Sequence, residues 1–564
     1  MTAETLAALL LARAEDDRPG LRFEGGTRSW REHVAACRST AATLESLAGE
    51  PGLRPAPADP PPVPGGVLHV GVLAENVPEL LVLIGAAALT GHVVVALNPT
   101  RAPDELVRDA AATDVALLLW DGPYEGRARA VAGALGVRSL PLTELAPPPT
   151  APPPERPAQA TAPPLEPPAM AEPGGLVMLI FTSGTSGRPR AVRVTQRKLA
   201  VPGLTLGRLL TPADAVYCAM PLFHSGALMA AYAPAVASGA TLVLRRRFSA
   251  SRLLPDVREH GCTYLHYVGK ALSYVLATPE RPDDADNPLR VAFGNEGGAV
   301  ATRRFGERFG CRVIDAFGST ETAVSLDPDP SGPPGSLGRL PPGVLILDPA
   351  TGRRCAPARI ERGRLLNPDE AVGELVNTAG LGLFDGYYND PEAEAERVRD
   401  GAFWSGDLAY ADAGGHVYFA GRGTERLRVD GENLAVAPIE AALREFPGVV
   451  EAAVYPVPDE AAGDQVMAAL VLDRPFDPGA YAAFVASRGD LGPKALPRYV
   501  RVAGRLPTTP SHKVVKRVLA REAWRTSDPV WCRTPAGLRP LTAADVAAIE
   551  DGFERHGRRH LLEE

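Results

Sequence analysis

A chain of 564 residues is too long for a single hydrophobic core and long enough for two or three domains. Its 45% hydrophobic and 22% charged residues are those of an ordinary globular protein, and a net charge of -8 argues against nucleic acid as a partner. The six cysteines are scattered with no C-x-x-C pair, which argues against a zinc site or a disulfide framework and fits a reducing cytosol.

The opening MTAETLAALLLARAEDDRPG has an apolar patch between acidic residues and no basic lead-in, which reads as an amphipathic helix and not a signal peptide. Leu68 to Leu73 alternates as a strand. A helix is expected next, with Asn76 as its cap and Pro78 in its first turn. The apolar run from Leu80 to Leu97 approaches the length of a membrane span, about 20 residues. Thr90, Gly91 and His92 break it, so it reads better as a buried helix closed by Gly91 and followed by a strand through Val93, Val94 and Val95. This alternation of strand and helix predicts a parallel sheet. Residues 51–65 and 146–168 are proline-rich, stiff connectors without chemistry of their own.

The chain is organised around Leu176 to Thr195, LVMLIFTSGTSGRPRAVRVT. A short buried strand ends abruptly in Thr182, Ser183, Gly184, Thr185, Ser186 and Gly187, with Arg188 and Arg190 just beyond. Glycines let backbone N–H groups converge, hydroxyls add donors and arginines add positive charge, so the stretch can cradle a polyphosphate. It is not the common nucleotide P-loop, because Pro189 stands where a glycine followed by Lys and Ser/Thr would be required. The bland alternative is a Ser/Gly loop closing a strand.

The string FTSGTSGRPRAV resembles the phosphate-binding signature of the adenylate-forming enzymes, a superfamily of acyl-CoA synthetases, peptide-synthetase adenylation domains and luciferases. The resemblance implies that Thr182 to Gly187 and Arg190 bind the nucleotide phosphates. YCAMPLFHSG (217–226) is similar to the next family signature. A lone histidine after an aromatic is more often structural, whereas the resemblance implies that His224 lines the acyl pocket near the reacting carboxylate. TYLHYVGKALSYVLAT followed by VAFGN resembles the branch of very-long-chain acyl-CoA synthetases and fatty-acid transport proteins.

VIDAFGSTE (313–321) is similar to the second strong signature. Alone, Gly318-Ser319-Thr320-Glu321 is equally a helix cap. Beside the first signature, it implies that Glu321 holds Mg2+, Thr320 meets the α-phosphate, Phe317 stacks on adenine, and Gly318 and Ser319 shape the turn. In FWSGDL, Asp407 matches the carboxylate that accepts both ribose hydroxyls, a two-oxygen acceptor for a vicinal diol. Arg422, in GRGTE, would also reach the ribose, with the hinge of the family's mobile domain at Thr424. Gly431 would let the backbone approach the pantetheine of coenzyme A closely. In RLPTTPSHKVVK, Lys513 matches the lysine that bridges the acyl carboxylate and the α-phosphate, with Lys516 the alternative register.

Several positions depart from the family pattern. Arg190 and Ala191 replace lysine and glycine, Arg428 stands where lysine is common, Pro438 replaces a glutamate, and His512 and Pro510 flank or stiffen the lysine loop. These changes gather around the triphosphate and the lysine loop. They bear more on ATP use than on binding an acyl-adenylate.

The expected fold is α/β, with a large N-terminal domain of layered sheets flanked by helices over residues 1–421. A small mobile α/β lid follows over 422–564, hinged near 423–425. The expected activity is that of a cytoplasmic acyl-CoA ligase using ATP, Mg2+ and coenzyme A, with AMP leaving as the thioester forms. The alternatives are an enzyme that converts a preformed acyl-adenylate, supplied by a separate adenylating enzyme, to the thioester; acyl transfer to a carrier-protein pantetheine; a non-catalytic acyl-nucleotide binder; and oxygenase chemistry of the luciferase kind, which no feature supports. The Ala-, Arg- and Pro-rich composition suggests a GC-rich bacterial source, where specialised-metabolite acids compete with fatty acids as the substrate. Residues 525–564 match no part of the resemblance.

Overall fold

The computed structural model describes residues 4–50, 53, 66–145, 172–183, 189–269, 271–297, 299–327, 329, 331–333, 335–361, 364–422, 427–429, 432–434, 436–460, 464–488, 491, 493–509, 514–535, 537–556 and 558–562. The large N-terminal part is built on two mostly parallel sheets, and helices fill the space between and around them.

One sheet has six strands in the order Arg138–Pro141, Val115–Trp120, His69–Leu73, Val93–Ala96, Leu176–Ser183, Pro189–Thr195. All neighbours are parallel except the last pair, an antiparallel hairpin. The other has seven, in the order Arg312–Asp315, Val291–Asn295, Tyr264–Val268, Ala215–Cys218, Thr241–Leu244, Pro19–Phe23, Gly26–Ser29. Parallel strands buried on both faces are almost continuously apolar, as HVGVL and VVVA are here but for His69, every residue buried.

The run after Leu80 lies in the helix Pro78–Thr90, buried at all positions. Pro78 opens it and Gly91 closes it in the left-handed region at φ 83°, as the sequence predicts. No helix among the described residues is long and apolar enough to cross a membrane. Asn76 does not cap it: the cap position is Val77, without a side-chain bond. Instead the Asn76 amide donates to the carbonyls of Met220 (2.9 Å) and Arg245 (3.0 Å), and its oxygen accepts from the Leu222 N–H (2.8 Å). Asn76 thus pins the start of the PLFHSG segment to the neighbouring sheet.

An antiparallel sheet follows, with strands Val344–Leu347, Gly373–Asn377, Ala402–Ala411 and Val398–Arg399, and Val417–Arg422 paired to Ala402–Ala411. It packs Phe384, Tyr387 and Phe403 into its own core.

The small C-terminal part has a five-stranded sheet in the order Val449–Pro458, Asp464–Leu472, Tyr499–Val502, Val530–Thr534, Gly537–Pro540. The segment beyond residue 525, unplaced from sequence, belongs to it. Tyr499 pairs with Cys532, and the helix Ala543–Arg555, closed at its start by a Thr542–Asp545 capping box, sinks Phe553 against Trp524. None of the six cysteines forms a disulfide among the described residues.

Candidate active site

The Leu176–Ser183 strand runs parallel to Val93–Ala96, so Ser183 stands at the carboxyl end of the parallel sheet, where open α/β sheets bind their ligands. Thr182 faces Arg190 across the hairpin, and Ser183 faces Pro189. Gly184, Thr185, Ser186 and Gly187 lie outside the described residues, as do Gly431, Lys513 and the hinge position Thr424.

Arg190 is buried and turned inward. Its guanidinium pairs with Glu396 and stands 5.5 Å from the centre of the Tyr387 ring. The Tyr387 hydroxyl in turn donates to Oε1 of Glu321 at 3.0 Å. Burial, with the Glu321 charge next, raises the Tyr387 pKa, so the phenol remains a donor at neutral pH.

The Ala316–Glu321 segment leaves the Arg312–Asp315 strand at one edge of the seven-stranded sheet. Asp315 anchors it, accepting from the Tyr267 hydroxyl (2.8 Å) and the Gly297 N–H (3.0 Å). Phe317 packs beside the antiparallel-sheet core, and a Cβ placed on Gly318 would meet open space. Thr322, next to Glu321, holds φ 50°, a backbone conformation rare for a β-branched residue. Ser319 and Thr320 are partly exposed, and Thr320 shares a 3.0 Å hydrogen bond with Ser225. His224 sits one residue before Ser225, its ring 4.6 Å from that of Phe223. The histidine segment and the Ser-Thr-Glu segment are therefore physically joined.

Asp407 and Arg422 are direct partners in the antiparallel pair Ala402–Ala411 and Val417–Arg422. Asp407 is fixed from its neighbour. Gly406 holds φ 74° and donates its N–H to Glu374 at 2.6 Å, and any Cβ there would stand 2.0 Å from the Arg397 guanidinium.

The lysine loop is closed at its base by a bridge between Thr508 and Val514, and the Val515 N–H donates to the Pro507 carbonyl at 2.8 Å. Lys516, the alternative register, is committed elsewhere: its Nζ stands 3.0 Å from Oε1 of Glu440, which also accepts from the Val454 N–H at 2.8 Å. The small domain rests on the large one through the Tyr274 hydroxyl, which hydrogen-bonds to Glu451.

Glu321 contributes a single carboxylate, and among the described residues no group of three or more His, Cys, Asp or Glu could hold a metal. That donor set fits a hard cation such as Mg2+, which keeps most of its shell for water and substrate phosphates and takes one or two carboxylates from the protein.

Ser225, Tyr387, Gly406 and Lys198 carry no role in the sequence reading, and Asn76 carries only that of a helix cap. Only Gly406, beside Asp407 in a turn-like Ser-Gly-Asp, carried a local signal.

The chain matches the family model described as AMP-binding enzyme over residues 11–388, and the AMP-binding enzyme C-terminal domain over 438–513. It is 46% identical to the medium/long-chain-fatty-acid–CoA ligase FadD17 of Mycobacterium tuberculosis, over 94% of this chain and 99% of that one. It is 42% identical to the steroid-22-oyl-CoA synthetase of Rhodococcus jostii, over 99% of both. ATP-bound MatB of Rhodopseudomonas palustris shares the fold, with a TM-score of 0.74 over 92% of this chain and 98% of that one, at 24% identity. The chain belongs to the AMP-binding enzymes, the adenylate-forming acid–thiol ligases.

Proposed function

We propose that the protein activates an apolar carboxylic acid, a medium- or long-chain fatty acid or a steroid side-chain acid, as its acyl-adenylate and passes the acyl group to coenzyme A. The observation that carries this reading is the hydrogen bond between Ser225 and Thr320. It sets the segment assigned to the acyl carboxylate against the segment assigned to the α-phosphate, the two groups that must meet in the first half-reaction. The named acids come from the relatives described above.

In this reading the Thr182–Gly187 loop cradles the β- and γ-phosphates, Thr320 donates to the α-phosphate, and Phe317, with Gly318 and Ser319, receives adenine. Asp407 and Arg422, side by side on paired strands, hold the ribose. Glu321, steadied by Tyr387, holds Mg2+, which when bound neutralises charge on the triphosphate. His224 lines the acyl pocket. Lys513 bridges the carboxylate and the α-phosphate as charge develops. Residues 1–421 form the large domain and 422–564 the lid, turning near 423–425 to exchange the Lys513 face for one on which Gly431 borders the pantetheine channel. The site of action is the cytoplasm.

A second reading has one specific observation in its favour. Arg190, at the position where the family carries a phosphate-loop lysine, has one guanidinium nitrogen held by Glu396 and stands 5.5 Å from the Tyr387 ring centre. On that reading the first half-reaction is lost and a separate enzyme supplies the acyl-adenylate.

Acid-dependent exchange of labelled pyrophosphate into ATP, run beside thioester formation from synthetic acyl-AMP and coenzyme A, tests both. The first reading expects both activities. Thioester formation without exchange across medium-chain, long-chain and steroid acids would select the second, and the absence of both would overturn the assignment.

A further inference from the structure

Lys198 lies in the first turn of the helix Gln196–Gly207, immediately after the hairpin that carries the phosphate loop. Its neighbours in TQRKL are all engaged. Thr195 and Arg197 hold the two oxygens of Asp385 at 2.7 and 2.6 Å, and Gln196 bridges the Ala88 carbonyl and the Ala7 N–H. Lys198 is fully buried, yet its Nζ makes no hydrogen bond among the described residues. It faces the Phe384 ring at 5.8 Å. That ring contacts Tyr387 at 5.0 Å, and Tyr387 holds Glu321. Burial depresses the Lys198 pKa to about 8, with Glu321 and then Asp385 acting against that fall, so the side chain is an ammonium at neutral pH.

A buried ammonium without a hydrogen bond is costly and survives only with a countercharge nearby. Glu321 is the stronger of the two charges that sustain it, and Asp385 is already shared by Thr195 and Arg197. The same carboxylate is the proposed metal ligand, and a cation at Glu321 would meet a second positive charge in a low-dielectric site.

Resting on the reading of Glu321 as that ligand, we propose that Lys198 is a positioning residue which makes metal binding at Glu321 conditional on the nucleotide. Without nucleotide, the ammonium balances Glu321 and repels a divalent ion. With it, the negative triphosphate offsets the ammonium and the ion enters as the metal–nucleotide complex. Premature occupation by free cation, which would obstruct entry of the complex, is thereby suppressed.

Mn2+ binding followed by electron paramagnetic resonance, with and without an α,β-methylene ATP analogue, tests this with no turnover involved. Wild-type protein should bind Mn2+ at least tenfold more weakly without the analogue than with it. Lys198→Met should bind it without the analogue about tenfold more tightly than wild type, a factor equal to about 1.4 kcal/mol. The gain should vanish in Lys198→Met/Glu321→Gln, and Lys198→Arg should behave as wild type. The Met variant exchanges a buried ammonium that makes no hydrogen bond among the described residues for an apolar chain of similar length, so it should fold, with a Tm near that of wild type. Analogue-independent affinity in Lys198→Met equal to wild type, with Glu321-dependent binding intact in the presence of analogue, overturns the role of Lys198 and leaves that of Glu321. Loss of Glu321-dependence in the presence of analogue overturns both.

Discussion

The Tyr387 hydroxyl donates to Oε1 of Glu321 at 3.0 Å, while the other face of the same residue is closed by the Arg190 guanidinium. The carboxylate is therefore aimed by the Tyr387 hydroxyl. A hydrogen bond to a charged acceptor contributes about 1.5–3 kcal/mol. Tyr387→Phe should raise the Mg2+ concentration for half-maximal pyrophosphate exchange roughly tenfold. Its effect on thioester formation from acyl-AMP should be much smaller, and an equal loss in both assays would show a general structural role instead.

The two lysines of the last signature separate by stability. Lys516 pairs with the buried Glu440, which Arg444 also contacts at 3.1 Å, so Lys516→Met should destabilise the small domain by about 2 kcal/mol, read from chemical denaturation. Lys513→Ala should leave the denaturation curve in place and abolish exchange. Preserved exchange in Lys513→Ala would return the catalytic assignment to the other register.

Two glycines of the proposed nucleotide site should differ in their effect on stability. Gly406→Ala strains a left-handed residue against Arg397 and should cost about 1–3 kcal/mol of stability while raising the KM for ATP through Asp407. Gly318→Ala meets open space in the protein, so it should fold normally and lose nucleotide affinity alone. Differential scanning calorimetry beside ATP titration distinguishes the two.

Acid sensitivity follows from buried imidazoles. Burial lowers His33 to about 3, and His92 and His266 to about 4, from the ordinary 6.5. The unfolded chain takes up these protons before the folded one does. The stability they contribute is complete above pH 6.5 and is lost as pH falls from 6.5 towards 4, by up to about 1.4 kcal/mol per unit for each group. Denaturation midpoints should begin to fall below pH 6.5, above the usual carboxylate range, and His266→Gln should make that slope shallower.

Elements whose signals are local were legible before the structure. Pro78 and Gly91 bound their helix because a fixed φ and a left-handed residue act within one turn. Asn76 was misread because cap rules see only the next turn, whereas its partners Met220 and Arg245 lie 144 and 169 positions away. Replacing it with alanine should cost about 2–4 kcal/mol, since three bonds go at once and leave buried backbone groups unpaired. The nucleotide motifs were recognised as strings, but strings do not carry direction: Arg190 stands beside the phosphate loop in sequence and turns to Glu396, 206 positions on. Lys198 in TQRKL looks like any solvated first turn of a helix. Only burial reveals it.

The segment beyond residue 525 completes the C-terminal sheet with a last strand, Gly537–Pro540, of four residues ending in a proline. Proline has no N–H to offer a further ladder, and so short a strand gives little length to pair with. The outer margin of the small domain is thus blunted, and neighbouring molecules in a crowded solution find no template there for strand-to-strand aggregation.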